Sequence, residues 1–140
     1  MRSYLNASGD IKVPVVRGGE SQPAELHWLM AYHGPRPTYW FQLVWSGPQL
    51  RAIGSDAFEA LAGIREQLEP SGWLVGVHGS RLDTYPSGMA RDMGGGFSVY
   101  VLRMGQSARS EDLVDTFGRA DPGLWATVAE QQEYWQRWLA

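Results

Sequence analysis

The segment from residue 38 to 45, T-Y-W-F-Q-L-V-W, limits the fold more than any other part of the chain. Aromatic and β-branched residues dominate it, which is typical of a β-strand. Successive side chains of a strand point to opposite faces. One face therefore carries Tyr39, Phe41, Leu43 and Trp45. The other carries Trp40, Gln42 and Val44. Because both faces are largely apolar, we predict a central strand of a sheet.

Further strands are expected on both sides of this segment. Residues 25–32 form the other half of a predicted hairpin, because Gly34-Pro35-Arg36-Pro37 forces a turn. The run from Ile11 to Val16 alternates, but Pro14 has no N–H to donate, so we expect an edge strand there. Residues 1–10 are polar and are expected to be frayed. Short strands are predicted at 50–54, 73–75 and 97–103.

Three helices are predicted. An apolar stripe defines the first over residues 55–69, with Ser55 as its N-cap and Arg65 on its outer side. Ser110 is expected to cap a short helix at 111–117. Asp121 and Pro122 are expected to begin the last helix, at 122–138. The tryptophans of this C-terminal region are expected either to lie on the sheet or to form a partner surface: Trp125, Trp135 and Trp138.

The order of these elements predicts one α+β domain over residues 1–140. Its centre is a mostly antiparallel sheet of about five to six strands, with the helices packed against it. A strand-helix-strand unit around residues 50–75 is compatible with one additional parallel pair of strands.

Charge and cysteine content exclude several functions. Fifteen acidic and twelve basic residues give a net charge of −3, so nucleic-acid binding through a basic surface is not expected. The chain has no cysteine, which excludes disulfides, thiolate metal sites and cysteine nucleophiles. The first residues lack the apolar core of a signal peptide, and no apolar run reaches the ~18 residues of a membrane span. We therefore expect a cytoplasmic protein that does not contact a membrane.

A polar, glycine-rich segment from Gly76 to Gly96 separates two of the predicted strands. Loops of this length are usually functional or disordered, and we predict a functional loop. Its candidate binding residues are His78, Arg81, Asp83, Tyr85, Ser87, Arg91, Asp92, Gly94, Gly95 and Gly96. Two interpretations are open. The arginines form a recognition pocket for an acidic group, or the loop uses these side chains to order itself.

The triple glycine at 94–96 has two interpretations as well. It lets the backbone approach a ligand closely and form an anion-binding nest, or it forms a bulge that enters the next strand. It lacks the spacing and the lysine of a P-loop. It also precedes a strand, whereas a dinucleotide motif opens a helix, so neither nucleotide motif is assigned.

No catalytic residue, metal ligand or cofactor is assigned. His78 with Asp83 or Asp92 would supply a minimal acid–base pair, but no nucleophile motif accompanies them. His27 and His33 lie six positions apart without clustered carboxylates, which does not make a metal site. An enzyme is therefore the less favoured interpretation.

Two short motifs carry a resemblance to known proteins. L-E-P-S-G-W at 68–73 and Y-P-S-G-M-A-R-D-M-G-G-G at 85–96 resemble small bacterial proteins of polymorphic-toxin and Rhs loci. Small acidic α+β proteins of such loci often serve as immunity proteins, so the resemblance implies a cognate toxin as partner. The alternative is a small enzyme or ligand-binding domain that recognises an anionic small molecule through residues 76–96. A monomer and a homodimer both remain compatible with the sequence.

Overall fold

The computed structural model describes residues 4–140, with side chains from Ala7 onward. Its largest unit is a curled sheet of five strands, in the order β4-β3-β2-β1-β5. Every neighbouring pair in this sheet is antiparallel. The strands are β1 (Tyr4–Arg17), β2 (Glu20–His33), β3 (Arg36–Val44), β4 (Leu50–Gly54) and β5 (Leu74–Val75).

The first two strands form a hairpin that is longer than the sequence predicted. Because β1 begins at Tyr4, the prediction that residues 1–10 fray is wrong for residues 4–10, and residues 1–3 lie outside the described part. The polar half of β1 pairs with β2, with Gly9 opposite Trp28. A Cβ at Gly9 would lie 2.6 Å from the indole nitrogen of Trp28, so glycine lets the ring lie over the neighbouring strand.

The prediction of a central strand at residues 38–45 is confirmed, because β3 lies between β2 and β4. On its inner face, Tyr39, Phe41 and Leu43 are buried in the core. On its outer face, Trp40 and its neighbours are only half-buried. The second apolar face that the sequence indicated is therefore present, but it remains open to solvent.

The first predicted helix is confirmed as α1 (Ala57–Leu68), although its N-cap is Asp56 rather than Ser55. The Asp56 carboxylate accepts a 2.8 Å hydrogen bond from the N–H of Glu59. The apolar stripe of α1 packs against β3 and β4. The outer position predicted for Arg65 is wrong. Arg65 is 1% exposed, because the last helix of the chain covers that side of α1.

A second antiparallel sheet combines β6 (Thr84–Tyr85), β7 (Ser98–Val101) and β8 (Leu113–Asp115), with β7 in the middle. The helix predicted at 111–117 is wrong, since Ser110–Asp112 forms one 3-10 turn and the chain then continues as β8. Val114 faces Val99 across the two strands. Pairing with β7 thus outweighs the local capping signal of Ser110.

Two more helices complete the fold. α2 (Gly88–Asp92) lies between β6 and β7, and α3 (Val128–Leu139) ends the described chain. The helix start predicted at Asp121 and Pro122 is wrong. Gly123 has a φ of 91°, and residues 124–126 instead hydrogen-bond to residues 80–82. Thr127 caps α3, and Glu130 completes the capping box. α3 packs on α1 and β6 rather than on the large sheet.

The α+β class with a mostly antiparallel sheet is confirmed. The parallel pair considered for residues 50–75 is not formed, because β4 and β5 lie at opposite edges of the sheet. β5 pairs antiparallel with β1 at Val15 and Val16, and the N–H of Gly76 donates to the Pro14 carbonyl beside them. Across residues 4–140, no helix combines the length and apolar character needed to cross a membrane.

Candidate functional site

The segment from residue 76 to 96 contains three short pieces of regular structure: a 3-10 turn at His78–Ser80, strand β6 and helix α2. Backbone hydrogen bonds fix its first half to the chain that follows β8. The N–H of His78 donates to the Gly118 carbonyl, and the N–H of Gly79 to the Thr116 carbonyl, both at 2.8 Å. The Thr84 hydroxyl donates to the His78 carbonyl at 2.6 Å. These contacts define the path of the first half.

A buried guanidinium supports this half from inside the protein. Arg65 donates to the carbonyls of Gly79 and Ala126, at 3.2 and 3.0 Å, and to the side-chain oxygen of Gln131 at 2.6 Å. Gln131 in turn donates to the carbonyls of Gly79 and Arg81. Burial lowers the pKa of Arg65 to about 10, so the group keeps its charge at neutral pH. One buried cation therefore joins α1, α3 and the 76–96 segment.

Arg81 and Asp83 form an ion pair with two hydrogen bonds, at 2.8 and 2.9 Å. Arg81 also lies 3.4 Å from Nδ1 of His78. Burial and the charge of Arg81 lower the pKa of His78 below its ordinary value, so the imidazole is neutral at neutral pH. An anionic ligand would have to displace Asp83 to reach Arg81.

Arg91 is held in a comparable way in the second half. Its guanidinium lies 3.4 Å from the Asp56 carboxylate and stacks over Phe58 and Tyr85, 5.2 and 5.4 Å from the ring centroids. Tyr85 is itself stacked on Trp135, with 4.3 Å between the centroids. Tyr85 and Arg91 line a cleft of about 220 Å³ between α1 and α3. Burial raises the pKa of Asp56, although its capping hydrogen bond and the Arg91 charge act in the opposite direction.

The triple glycine fixes the end of the segment to the N-terminus of α1. The Gly95 carbonyl accepts a 2.7 Å hydrogen bond from the N–H of Ala57. Gly96 has a φ of 75°, and a Cβ there would lie 2.8 Å from an oxygen of Asp56. The N–H of Gly96 donates to the Ala90 carbonyl at 3.0 Å, so this amide is already used within the protein.

The ten predicted binding residues thus fall into separate groups. The clusters are His78 with Arg81 and Asp83, Tyr85 with Arg91, and Gly94 with Gly95 and Gly96. Ser87 is the N-cap of α2 and accepts a 3.0 Å hydrogen bond from the N–H of Ala90. Asp92 ends α2 and is exposed. Most of the side chains are engaged with one another or with side chains of α1 and α3, and they do not line one common pocket.

The most exposed large apolar side chains of the segment are two methionines, which the sequence patterns did not single out. Met89 is 71% exposed and Met93 is 82% exposed. They lie four positions apart, one in α2 and one at its C-cap, and side chains at this spacing share one side of a helix. A signal for them exists in the sequence. Ser87 is a good N-cap, and methionines at two and six positions beyond it would share a helix face.

Neither the search for a metal site nor the comparison with known proteins assigns a function to these residues. Among residues 4–140, no group of three or more histidine or carboxylate side chains is placed to hold a metal ion. The sequence matches no protein-family model, and a search of curated proteins finds no match to it.

Proposed function

We propose that the protein is a protein-binding module, specifically an immunity protein that binds and neutralises a cognate bacterial toxin through Met89 and Met93. One observation carries this proposal. Both methionines are exposed on a helix whose backbone is fixed by the Ser87 cap, the Arg91–Asp56 ion pair and the hydrogen bond from Ala57 to Gly95.

The exposure of these side chains supports protein binding for three reasons. Large apolar side chains grouped on a surface mark interaction sites. Methionine is flexible and polarisable, so it fits irregular partner surfaces. Because the backbone of α2 is already held in place, little backbone entropy is lost when a partner binds.

The charges around α2 suit a basic partner. Asp92 is exposed beside Met93, and the exposed Glu59 lines the neighbouring cleft together with Arg91, whose charge faces the Asp56 carboxylate. The whole chain carries a net charge of −3. Such a surface speeds encounter with a positively charged protein, for example a nuclease toxin. The toxin itself is inferred from the resemblance of residues 68–73 and 85–96 to proteins of toxin loci.

Recognition of an anionic small molecule is the weaker alternative. Arg81 and Arg91 each already face a carboxylate. The cleft beside Tyr85 and Arg91 has about 220 Å³, which is below the roughly 300–1,000 Å³ of most ligand pockets.

The proposal is tested by capturing the partner and measuring protection. Tagged wild type and the variant Met89→Gln/Met93→Gln are used to isolate partners from lysate of the native cells. The control is Met104→Gln, because Met104 is also exposed but lies outside the 76–96 segment. The captured protein is then expressed alone and together with each form in a bacterial host.

We expect one stoichiometric partner that arrests growth when expressed alone. Wild type and Met104→Gln should restore growth, and the double variant should not. A captured partner that is harmless would overturn the immunity role. Equal protection by the double variant would overturn the assignment of the contact to α2.

A further inference from the structure

The outer face of the large sheet carries two rows of side chains that cross four strands. Pairing in register places Asp10, His27, Gln42 and Arg51 in one row, from β1 to β4. The next row, in the same strand order, contains Ser8, Leu29, Trp40 and Ile53. Together the rows line a trough of about 850 Å³ on the side of the sheet opposite α1.

The second row is accessible, and three of its four side chains are apolar. Leu29 is 49% exposed and Ile53 is 65% exposed, with the half-buried Trp40 between them. Three adjacent apolar side chains on an uncovered sheet face form a contiguous patch, which is typical of an interaction surface. A tryptophan at its centre is a favoured anchor residue.

The first row has opposite charges at its two ends. Asp10 on β1 is the acidic end, where one carboxylate oxygen contacts Nδ1 of His27 at 2.5 Å. Arg51 on β4 is the basic end, and its guanidinium has no hydrogen-bond or ion-pair partner among the described residues. The two ends are three strand spacings apart, which is about 14 Å.

We propose that this face binds a second copy of the chain in a symmetric dimer. A two-fold axis parallel to the strands, between two stacked sheets, places β1 of one copy over β4 of the other. Asp10 then faces Arg51 of the second copy, and the same pair forms again at the other end. In the second row, Leu29 faces Trp40 of the second copy, and Ile53 faces Ser8. The face is therefore complementary to itself in charge at its two ends and in apolar character at its centre.

The size of the face indicates a reversible dimer. Three strands with about eight residues each and β4 with five, at about 4.8 Å between strands and about 3.3 Å per residue, cover on the order of 450 Å² per copy. Two copies then bury on the order of 900 Å², just below the roughly 1,000 Å² of a stable specific interface, so the dimer should be weak and reversible. This surface is distinct from α2. An experiment that disproves the dimer therefore leaves the proposed toxin contact unaffected, and the reverse also holds.

Charge reversal tests this arrangement directly. Self-association is measured by sedimentation equilibrium from about 1 to about 300 μM, a range that brackets a reversible dimer. In Asp10→Arg, arginines face each other at both ends of the interface, and in Arg51→Asp, carboxylates do. Each variant alone should dimerise at least about tenfold more weakly than wild type. An equimolar mixture of the two variants restores both ion pairs, so it should form heterodimers with nearly wild-type affinity.

The control is Arg137→Asp, because Arg137 is exposed on α3, away from the sheet. It should dimerise like wild type, and circular dichroism checks that each variant is folded. The proposal is overturned if wild type remains monomeric over the whole concentration range. It is also overturned if the mixture of variants associates no better than either variant alone.

Discussion

The guanidinium of Arg65 donates a 2.6 Å hydrogen bond to the side-chain oxygen of Gln131, a residue 66 positions further along the chain. Each of these residues is 1% exposed. The oxygens that accept hydrogen bonds from Arg65 belong to neutral groups, two carbonyls and one amide, so a full charge is solvated by dipoles. α1 and α3 are therefore joined through a group that tolerates little change in either partner.

Removing one partner of this buried charge should lower the free energy of unfolding. We expect Gln131→Leu to lower the free energy of unfolding by roughly 3–5 kcal/mol, because it leaves a buried cation short of an acceptor. Arg65→Met should cost about 2–4 kcal/mol, because buried carbonyls lose their donor. The double variant should lose less than the sum of the two. Urea unfolding of all four proteins measures the coupling.

The control for this cycle is Glu66→Gln, an exposed position next to Arg65, which should change stability by less than about 0.5 kcal/mol. Strictly additive losses from Arg65→Met and Gln131→Leu would show that the two side chains do not act as one unit.

Gly96 should tolerate alanine worse than Gly105, although both have a φ of 75°. At Gly105, a Cβ meets nothing within 4 Å, so only the left-handed backbone is penalised, by roughly 1–2 kcal/mol. At Gly96, a Cβ would lie 2.8 Å from both Asp56 Oδ1 and the Phe58 nitrogen, which should add about 1–3 kcal/mol. Chemical denaturation of the two variants gives the difference. Equal decreases in the free energy of unfolding for the two variants would show that the close approach of Gly96 to α1 does not affect stability.

Acidification should destabilise the protein through His78. Burial and Arg81 lower its pKa in the folded state, while the unfolded chain keeps a value near 6.5. Between these two values the unfolded state binds more protons, so stability is lost as the pH falls below about 6.5. The stability of wild type relative to His78→Gln should therefore decrease from pH 7.5 to pH 5. A difference that stays constant across this range would contradict the assignment.

Oxidation by dilute peroxide should modify the methionines in the order of their exposure. Met89 and Met93 should react first, Met104 next, and the half-buried Met30 last. Peptide mass spectrometry after timed quenching gives the rates. In a complex with the captured partner, protection should be confined to Met89 and Met93. Faster oxidation of Met30 than of Met93 would contradict the described exposure of α2.

Local periodicity was sufficient to predict α1 and the central strand β3. The stripe from Ala57 to Leu68 repeats at helical spacing, and residues 38–45 carry strong β preference on both faces, so each signal lies within its own element. The position of Arg65 could not be predicted in this way. It borders the apolar stripe of α1, and its burial depends on α3, which is distant in the sequence.

The helices predicted at 111–117 and from residue 122 show the same limit. Ser110 and Asp121 are good capping residues, but long-range hydrogen bonds decide both segments. β8 pairs with β7, and the carbonyl of Leu124 accepts from the N–H of Leu82. Capping preferences contribute about 1 kcal/mol, which a few tertiary contacts exceed.

In the 76–96 segment, the residue types alone did not indicate what the side chains do. Its arginines and aspartates were natural candidates for ligand binding, but Arg91 is paired with Asp56, 35 positions earlier, and Arg81 with Asp83. Residue types in a sequence do not show which partners are already engaged. Because the arginines are engaged with carboxylates of the protein itself, Met89 and Met93 remain as the exposed large apolar side chains of α2 and its C-cap.

The long hairpin of β1 and β2 has a consequence for the behaviour of the protein at high concentration. β5 pairs with β1 only at Val15 and Val16, which leaves the rest of that edge without a strand partner among the described residues. Strand alternation directs the backbone of Asp10 and Lys12 toward this edge, as it does for the Pro14 carbonyl. Beyond the part that β5 and Gly76 cover, an incoming strand would meet the charges of both signs on Lys12 and Asp10, and a bulge lies between Leu5 and Ala7. The charges and the bulge therefore disfavour fibril growth by edge-to-edge pairing of this sheet with the sheet of another molecule.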